Sequence, residues 1–246
     1  MKIIGIIPAR YQSTRFPGKP LVLINGKTMI QRVYEQCLKT NILSKVVVAT
    51  DDSRIFEHIK AFGGNVVLTS PDHCSGTDRC NEVISKLKAH NELFDIAINI
   101  QGDEPYINPI QIEELVACFN DSETQIATLI KKIENAEDLF SPNCVKAIAD
   151  SSNRAIYFSR NPIPYVRNAE QKDWLAHRTF YKHIGIYGYK TSVLEEITKL
   201  EVSSLEKAES LEQLRWIENK YIIKTSITTF ESIAIDTPSD IEKIII

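Results

Sequence analysis

Apolar runs and amphipathic stripes take turns along the first half of the chain. KIIGIIP (Lys2 to Pro8) is a nearly unbroken apolar run, the pattern of a strand covered on both faces. In TMIQRVYEQCLKT, the residues Met29, Ile30, Val33, Tyr34, Cys37 and Leu38 share one face at helical spacing. SKVVVAT is β-branched and predicts the next strand. DDSRIFEHIKAFGG opens with aspartates suited to an N-cap and stops at Gly63-Gly64, so it predicts a helix. NVVLT predicts a further strand, Thr77 is placed to cap a helix running to about His90, and DIAINIQ is another strand. Asn108-Pro109-x-Gln111 supplies an N-cap, a first-turn proline and a capping-box glutamine for a helix to about Phe119.

This alternation predicts an α/β fold with a mostly parallel sheet and helices on both of its faces. Ligands of such sheets lie beyond the C-terminal strand ends. The loops that leave those ends are Pro8 to Lys27, Thr50 to Ser53, Ser70 to Thr77 and Gln101 to Asn108. The second half is less regular. ATLIKKI and CVKAIAD predict strands, and AIYFSRNPIPYVR is extended and interrupted by Pro162 and Pro164. Asn168 to Arg178 reads as a loop or short helix, FYKHIGIYGYK as an alternating strand, Ser204 to Asn219 as one helix, and Tyr221 to Thr229 as a strand. AIDTPSDIEKII ends the pattern as a short strand, a turn and a helix. With no repeat, low-complexity tract or Gly/Ser linker, residues 1–246 read as one α/β domain, with a more extended subregion over about 150–195.

Composition narrows the partners. Net charge is −3, so no whole-molecule field recruits nucleic acid, yet Lys2, Arg10, Arg15, Lys19, Lys27 and Arg32 all precede the first acidic residue, Glu35. A local basic opening suits a small anionic ligand better than a polymer. No apolar run approaches the roughly 18 residues of a membrane span, and the apolar opening reads as a buried strand rather than a signal peptide. The five cysteines are scattered without a C-x-x-C pair, which fits free thiols in a reducing cytoplasm and gives little support to a zinc site.

Several loops carry candidate chemistry, each with a plain structural alternative. Arg10, Arg15 and Lys19 around Gly18 can wrap a polyphosphate, or form a solvated basic loop. The loop is not a Walker A motif, since Pro20 follows Lys19, and no G-x-G-x-x-G follows a strand. Asp103, in QGDEP just past an apolar strand, suits Mg²⁺ with substrate phosphates, and Gly102 leaves room for a ligand to approach; a turn aspartate is the alternative. Asp236, in AIDTPSD, lies one residue outside a helix cap built from Thr237, Pro238 and Asp240. His183, Gly185 and Tyr187 share a strand face near Arg160, although a lone histidine is more often structural. Glu212 and Gln213 sit on a helix that needs no ligand, and Ser75 is either a helix start or a ligand contact.

In order along nearly the whole chain, IPARYQSTRFPGKPL, ATDD, SGTDR, NIQGDEP, YFSR with IPY, KHIGIYGY, LEQLR and IDTPSD resemble the CMP-Kdo synthetase (3-deoxy-manno-octulosonate cytidylyltransferase) family. Single motifs are shared with sialic-acid-activating relatives; KHIGIYGY and LEQLR make the match narrower. Departures fall in Asn168 to His177, away from the motifs. The resemblance implies a nucleotide-diphospho-sugar transferase-like fold and a reaction in which the anomeric 2-hydroxyl of Kdo attacks the α-phosphate of CTP. It implies the lipopolysaccharide pathway and a cytoplasmic homodimer with the second-half subregion at its interface. Arg10, Lys19, Asp103 and Asp236 become the catalytic set, with Mg²⁺ on Asp103 and Asp236. Ala9, Arg10, Arg15, Lys19, Ser75 and Gln101 fall on the nucleotide, and Arg160, His183, Tyr187, Glu212 and Gln213 on Kdo. Competing expectations are the same chemistry on 8-amino-Kdo or a sialic acid, a glycosyltransferase, and a non-catalytic nucleotide-binding regulator. A glycosyltransferase usually shows Asp-x-Asp, whereas Asp103 is followed by Glu104 and Pro105.

Overall fold

Parallel strands separated by helices build the first half, as the alternating pattern requires. The structure, a computed structural model, describes residues 1–12, 16–231 and 233–242. In chain order its elements are β1 (Ile3–Ala9), β2 (Leu23–Ile24), β3 (Lys27–Thr28), α1 (Met29–Cys37), β4 (Lys45–Thr50), α2 (Ser53–Ala61), β5 (Val66–Leu68), α3 (Gly76–Ala89), β6 (Ile96–Asn99) and α4 (Pro109–Ala117). There follow β7 (Ile126–Lys132), α5 (Ala136–Phe140), β8 (Lys146–Ala149), β9 (Ala155–Ser159), α6 (Trp174–His177), β10 (Tyr181–Lys190), α7 (Thr191–Ile197), α8 (Ser204–Glu209), α9 (Gln213–Glu218), β11 (Ile223–Ile227) and α10 (Pro238–Glu242). Contacts divide the chain into two compact units. The first holds Met1–Glu113, Gly188–Thr198 and Glu231–Ile246; the second holds Glu114–Tyr187 and Lys199–Phe230.

In the first unit the strands run β6-β1-β4-β5, all parallel. Ile3, Ile4, Ile6 and Ile7 of β1 point alternately to the two faces and all are buried, so both faces are covered. Met29, Ile30, Val33, Tyr34 and Cys37 of α1 are buried as the stripe predicts. Leu38, expected on that stripe, is 57% exposed, because it is the residue at which the helix ends. Asp52 caps α2, accepting from the Arg54 and Ile55 N–H groups, and Gly63 leaves it at φ 81°. The cap of α3 is Ser75 rather than Thr77. Ser75 Oγ accepts from Asp78 N–H and the Asp78 carboxylate accepts from Ser75 N–H, both at 3.1 Å, and this reciprocal pair leaves Thr77 buried within the helix. Asn108 and Gln111 form the expected box at the start of α4. No strand forms among the described residues of AIDTPSD; Asp240 closes this turn, its carboxylate accepting from the N–H groups of Asp236 and Thr237.

In the second unit β11 runs parallel to β7, and β7 neighbours β10; β8 pairs antiparallel with both β10 and β9. The sheet is therefore mixed and mostly parallel. A separate cluster of Ile133, Leu139, Trp174 and Phe180 packs beneath the 166–175 segment. The single helix expected over Ser204 to Asn219 is two helices. Ser210 sits in the left-handed region at φ 52° and breaks the hydrogen-bond ladder between α8 and α9.

Candidate active site

The strand-end loops of the first unit bring the expected acids to one base. Lys19 Nζ lies 2.7 Å from Asp103 Oδ2 and 3.5 Å from Asp236 Oδ1. The backbone reinforces this, since the Ile235 N–H donates to the Asp103 carbonyl at 2.9 Å. Lys19 reaches its place because Gly18, at φ 73°, starts the short turn Lys19–Leu21 and donates its N–H to the Tyr11 carbonyl. The turn feeds a β2–β3 hairpin closed by Asn25 and Gly26, both at positive φ. The hairpin went unanticipated, although the Asn-Gly pair is its signal. Behind it, Ile24, Met29 and Ile235 form a buried cluster that ties the Asp236 segment to the hairpin.

Pro8, at the end of β1, is the hub of these loops. A Cβ on Gly102 would stand 2.6 Å from the Pro8 carbonyl oxygen, and one on Gly76 would stand 3.3 Å from Pro8 Cγ. The room at Gly102 is therefore taken by protein backbone and not left for a ligand, a correction to the expectation from sequence. Ala9 is buried beside it. Arg10 donates from its guanidinium to the His73 carbonyl, two residues before Ser75. The 70–75 loop is itself moored on Glu82, whose carboxylate takes hydrogen bonds from Ser70 N–H, the His73 ring and Lys86. Burial alone would raise the pKa of Glu82; these hydrogen bonds outweigh it and hold it at about 2. Gln101 lies two residues past the end of β6, before the turn that carries Asp103. Arg15 lies outside the described residues. So Arg10, Lys19, Ser75, Gln101 and Asp103 lie in loops that follow strands of the first unit, Ala9 is the last residue of β1, and Asp236 comes from the turn before α10.

One contributor passed unnoticed in the motifs ATDD and SGTDR. Arg79 is fully buried and donates to Thr69 Oγ1 at 2.6 Å and Asp51 Oδ2 at 3.1 Å, joining the ends of β4 and β5 to α3. A buried arginine inside a helix start leaves no periodic signal.

The second unit gathers the other expected set. The His183 ring packs between Phe158 and Tyr187, with centroids 5.2 Å from each. Tyr187 in turn meets Trp216 edge-on at 5.1 Å. Burial holds the His183 pKa down to about 4, and burial, helped by the Glu212 charge, raises that of Tyr187. Gln213 is 5% exposed, and its Nε2 is buried without a hydrogen-bond partner among the described residues. Such a donor is costly unless something fills it. Arg160 does not present a bare fork. Its guanidinium donates to the carbonyls of Glu209, Ser210 and Pro142, so it anchors the α8–α9 junction that leads to Glu212 and Gln213. Thr128, a polar residue inside an apolar strand, was also missed; its hydroxyl lies 3.0 Å from His183 Nε2.

A family model described as cytidylyltransferase matches residues 4–233. A 3-deoxy-manno-octulosonate cytidylyltransferase of Parabacteroides distasonis is 57% identical, over 99% of this chain and 96% of that protein. The enzyme of the same name from Bacteroides thetaiotaomicron is 56% identical, over 98% of this chain and 96% of its own. A solved structure of CMP:2-keto-3-deoxy-manno-octonic acid synthetase complexed with CTP superposes with a TM-score of 0.91 at 43% identity, covering 99% of this chain and 97% of that one. The fold alone is shared with 4-diphosphocytidyl-2C-methyl-D-erythritol synthase of Anaerococcus prevotii, at TM-score 0.64 and 13% identity over 99% of this chain and 96% of that one. The carboxylate pair on Lys19, the strand-end loops and full-length similarity lead to one statement: this chain belongs to the 3-deoxy-manno-octulosonate cytidylyltransferase family.

Proposed function

We propose that this protein activates 3-deoxy-D-manno-octulosonate with CTP, giving CMP-Kdo and pyrophosphate for lipopolysaccharide synthesis. The observation that carries the reading is the convergence of Asp103 and Asp236 on Lys19 at the strand ends. The anomeric oxygen of the sugar acid forms a bond to the α-phosphorus. The bond from that phosphorus to its bridging oxygen breaks, and pyrophosphate leaves with the electron pair. The hydroxyl proton passes to solvent.

Both reactants are anions, and two unit charges at 4 Å repel by about 4 kcal/mol at an effective dielectric near 20. Arg10, Arg15 and Lys19 offset this on the triphosphate side. Ala9, Ser75 and Gln101 are assigned to the cytosine and ribose. The hydroxyl of Ser75 already accepts from the Asp78 N–H, so its own proton is the part left to donate. In the second unit, the unfilled Nε2 of Gln213 supports a polar ligand there, joined by His183, Tyr187 and Glu212. Arg160 holds the junction that carries Glu212 and Gln213, and its charge favours a carboxylate substrate.

Asp103 and Asp236 are the residues that would hold Mg²⁺. The donor set fits: two hard carboxylates already converge on a cation, and no group of three or more metal-binding side chains occurs among the described residues. That is the composition Mg²⁺ completes with substrate phosphates and water. When bound, the ion neutralises phosphate charge and acidifies a coordinated hydroxyl. We assign the reaction to the cytoplasm, a reading supported by five free cysteines and by the lack of any described helix long and apolar enough to cross a membrane. We also assign a homodimer through the second-half subregion, where Ile156 and Tyr165 are exposed.

A pyrophosphate-release assay with CTP against Kdo, 8-amino-Kdo and a sialic acid, with and without chelator, tests the function. Kdo is expected to give the highest kcat/KM, and chelation to abolish turnover. Full turnover under exhaustive chelation, or a preference for another acid, would refute the corresponding assignment. Light scattering of the purified chain checks the dimer, and a monomer at micromolar concentration would overturn it.

A further inference from the structure

Thr128, on β7, makes three polar contacts with one hydroxyl. Its Oγ1 lies 2.8 Å from the Ile186 carbonyl oxygen, 3.2 Å from that of Ile184 and 3.0 Å from His183 Nε2. The residue is fully buried, so water does not share the work. Carbonyl oxygens only accept, and two oxygens at 2.8 Å repel unless a proton stands between them. The hydroxyl has one proton, so that proton goes to the carbonyls. What Thr128 turns toward His183 is then a lone pair, and Nε2 must carry the hydrogen.

The geometry points to Thr128 as a positioning residue that fixes His183 in the Nε2–H tautomer and so presents Nδ1 as a hydrogen-bond acceptor for a hydroxyl of the sugar acid. The inference rests on the placement of His183 in the sugar site proposed above. Three observations support it. Burial keeps the ring neutral, with a pKa of about 4, so one ring nitrogen carries no proton at pH 7. Nδ1 makes no hydrogen bond to the described residues. Phe158 and Tyr187 hold the ring edge-on and tilted, so it does not flip to exchange its nitrogens cheaply. A sugar acid rich in hydroxyls carries the donors that an imidazole acceptor selects, and a substrate with an ether or deoxy carbon at that position would lose the bond.

The test reads the tautomer directly. Long-range ¹H–¹⁵N correlation on the full chain with ¹⁵N-labelled histidine resolves five imidazoles, and H183Q identifies the one of interest. Protonated Nε2 and unprotonated Nδ1 are expected in the wild type. T128V keeps the shape but loses the hydroxyl; it should mix the tautomers and raise the KM for Kdo about tenfold, the worth of one neutral hydrogen bond, with the KM for CTP unchanged. T128S should restore both. A wild-type Nδ1–H tautomer, or an unchanged tautomer in T128V, overturns the role of Thr128. If T128V fails to fold, the wild-type spectrum and the Kdo KM of T128S decide by the same criteria. A switched tautomer with an unchanged Kdo KM overturns the contact between Nδ1 and the sugar, and with it the place of His183 in the proposed site, while leaving the lock itself standing.

Discussion

Replacing Gln213 by methionine exchanges an unfilled polar group for an apolar side chain of similar length. Gln213 is 5% exposed and its Nε2 has no partner among the described residues. A buried donor left unsatisfied costs about 1–3 kcal/mol. Methionine adapts to irregular surroundings and removes that cost, so the variant should be more stable than the wild type by about 1 kcal/mol. For a chain of this size that corresponds to a rise in Tm of roughly 2–4 °C. The same change deletes a donor to the sugar acid, and losing one neutral hydrogen bond raises the KM for Kdo by about tenfold. The KM for CTP should not move, because its proposed contacts lie in the first unit. Thermal unfolding with and without Kdo, together with initial rates at varied Kdo and varied CTP, measures all three quantities. A variant less stable than the wild type would show that Nε2 is satisfied in solution. A gain in stability with an unchanged Kdo KM would remove Gln213 from the sugar site.

Other substitutions probe the rest. D103N should lower kcat at saturating substrates by two or more orders of magnitude. It should cost no more than about 1 kcal/mol of stability, since its ion pair with Lys19 is partly exposed; turnover within threefold of wild type would remove Asp103 from the metal role. K19A should weaken CTP binding more than Kdo binding in calorimetric titrations, and equal losses would argue against a triphosphate contact. His183 sets a pH dependence of stability. Its folded pKa of about 4 lies below the ordinary 6.5, so between those values the unfolded chain binds a proton that the folded chain refuses. Its contribution is intact above pH 6.5 and lost as pH falls towards 4; urea titrations of H183Q should show a shallower slope across that window, and an unchanged slope would place the ring in water.

Much of the first unit was legible because its signals are local. The buried run of β1 and the capping aspartate of α2 each announce their element within a few residues. Lys19, Asp103 and Asp236 were legible as candidates because each sits in a loop beyond an apolar segment, but their meeting depends on strand order, which no local pattern states. The misreadings have physical causes. Ser75 and Thr77 both suit a cap, and Asp78 three residues after Ser75 decides between them. The apolar spacing over Ser204 to Asn219 is helical on either side of Ser210, yet one residue at φ 52° divides it. The donors of Arg160 meet carbonyls from Pro142 and the 209–210 segment, a pairing that only tertiary structure creates. Thr128 and Arg79 escaped because a polar group buried among apolar neighbours breaks no periodicity.

The close meeting of Gly102 with Pro8 bears on how this protein can change over time. With only 2.6 Å available to a Cβ, two stretches of main chain touch like the jaws of a closed vice, and the gap is set by the thickness of the polypeptide itself. Even alanine at position 102 would prise the jaws apart and carry Asp103 away from Lys19. The spacing here is thus held by a residue that has no side chain at all.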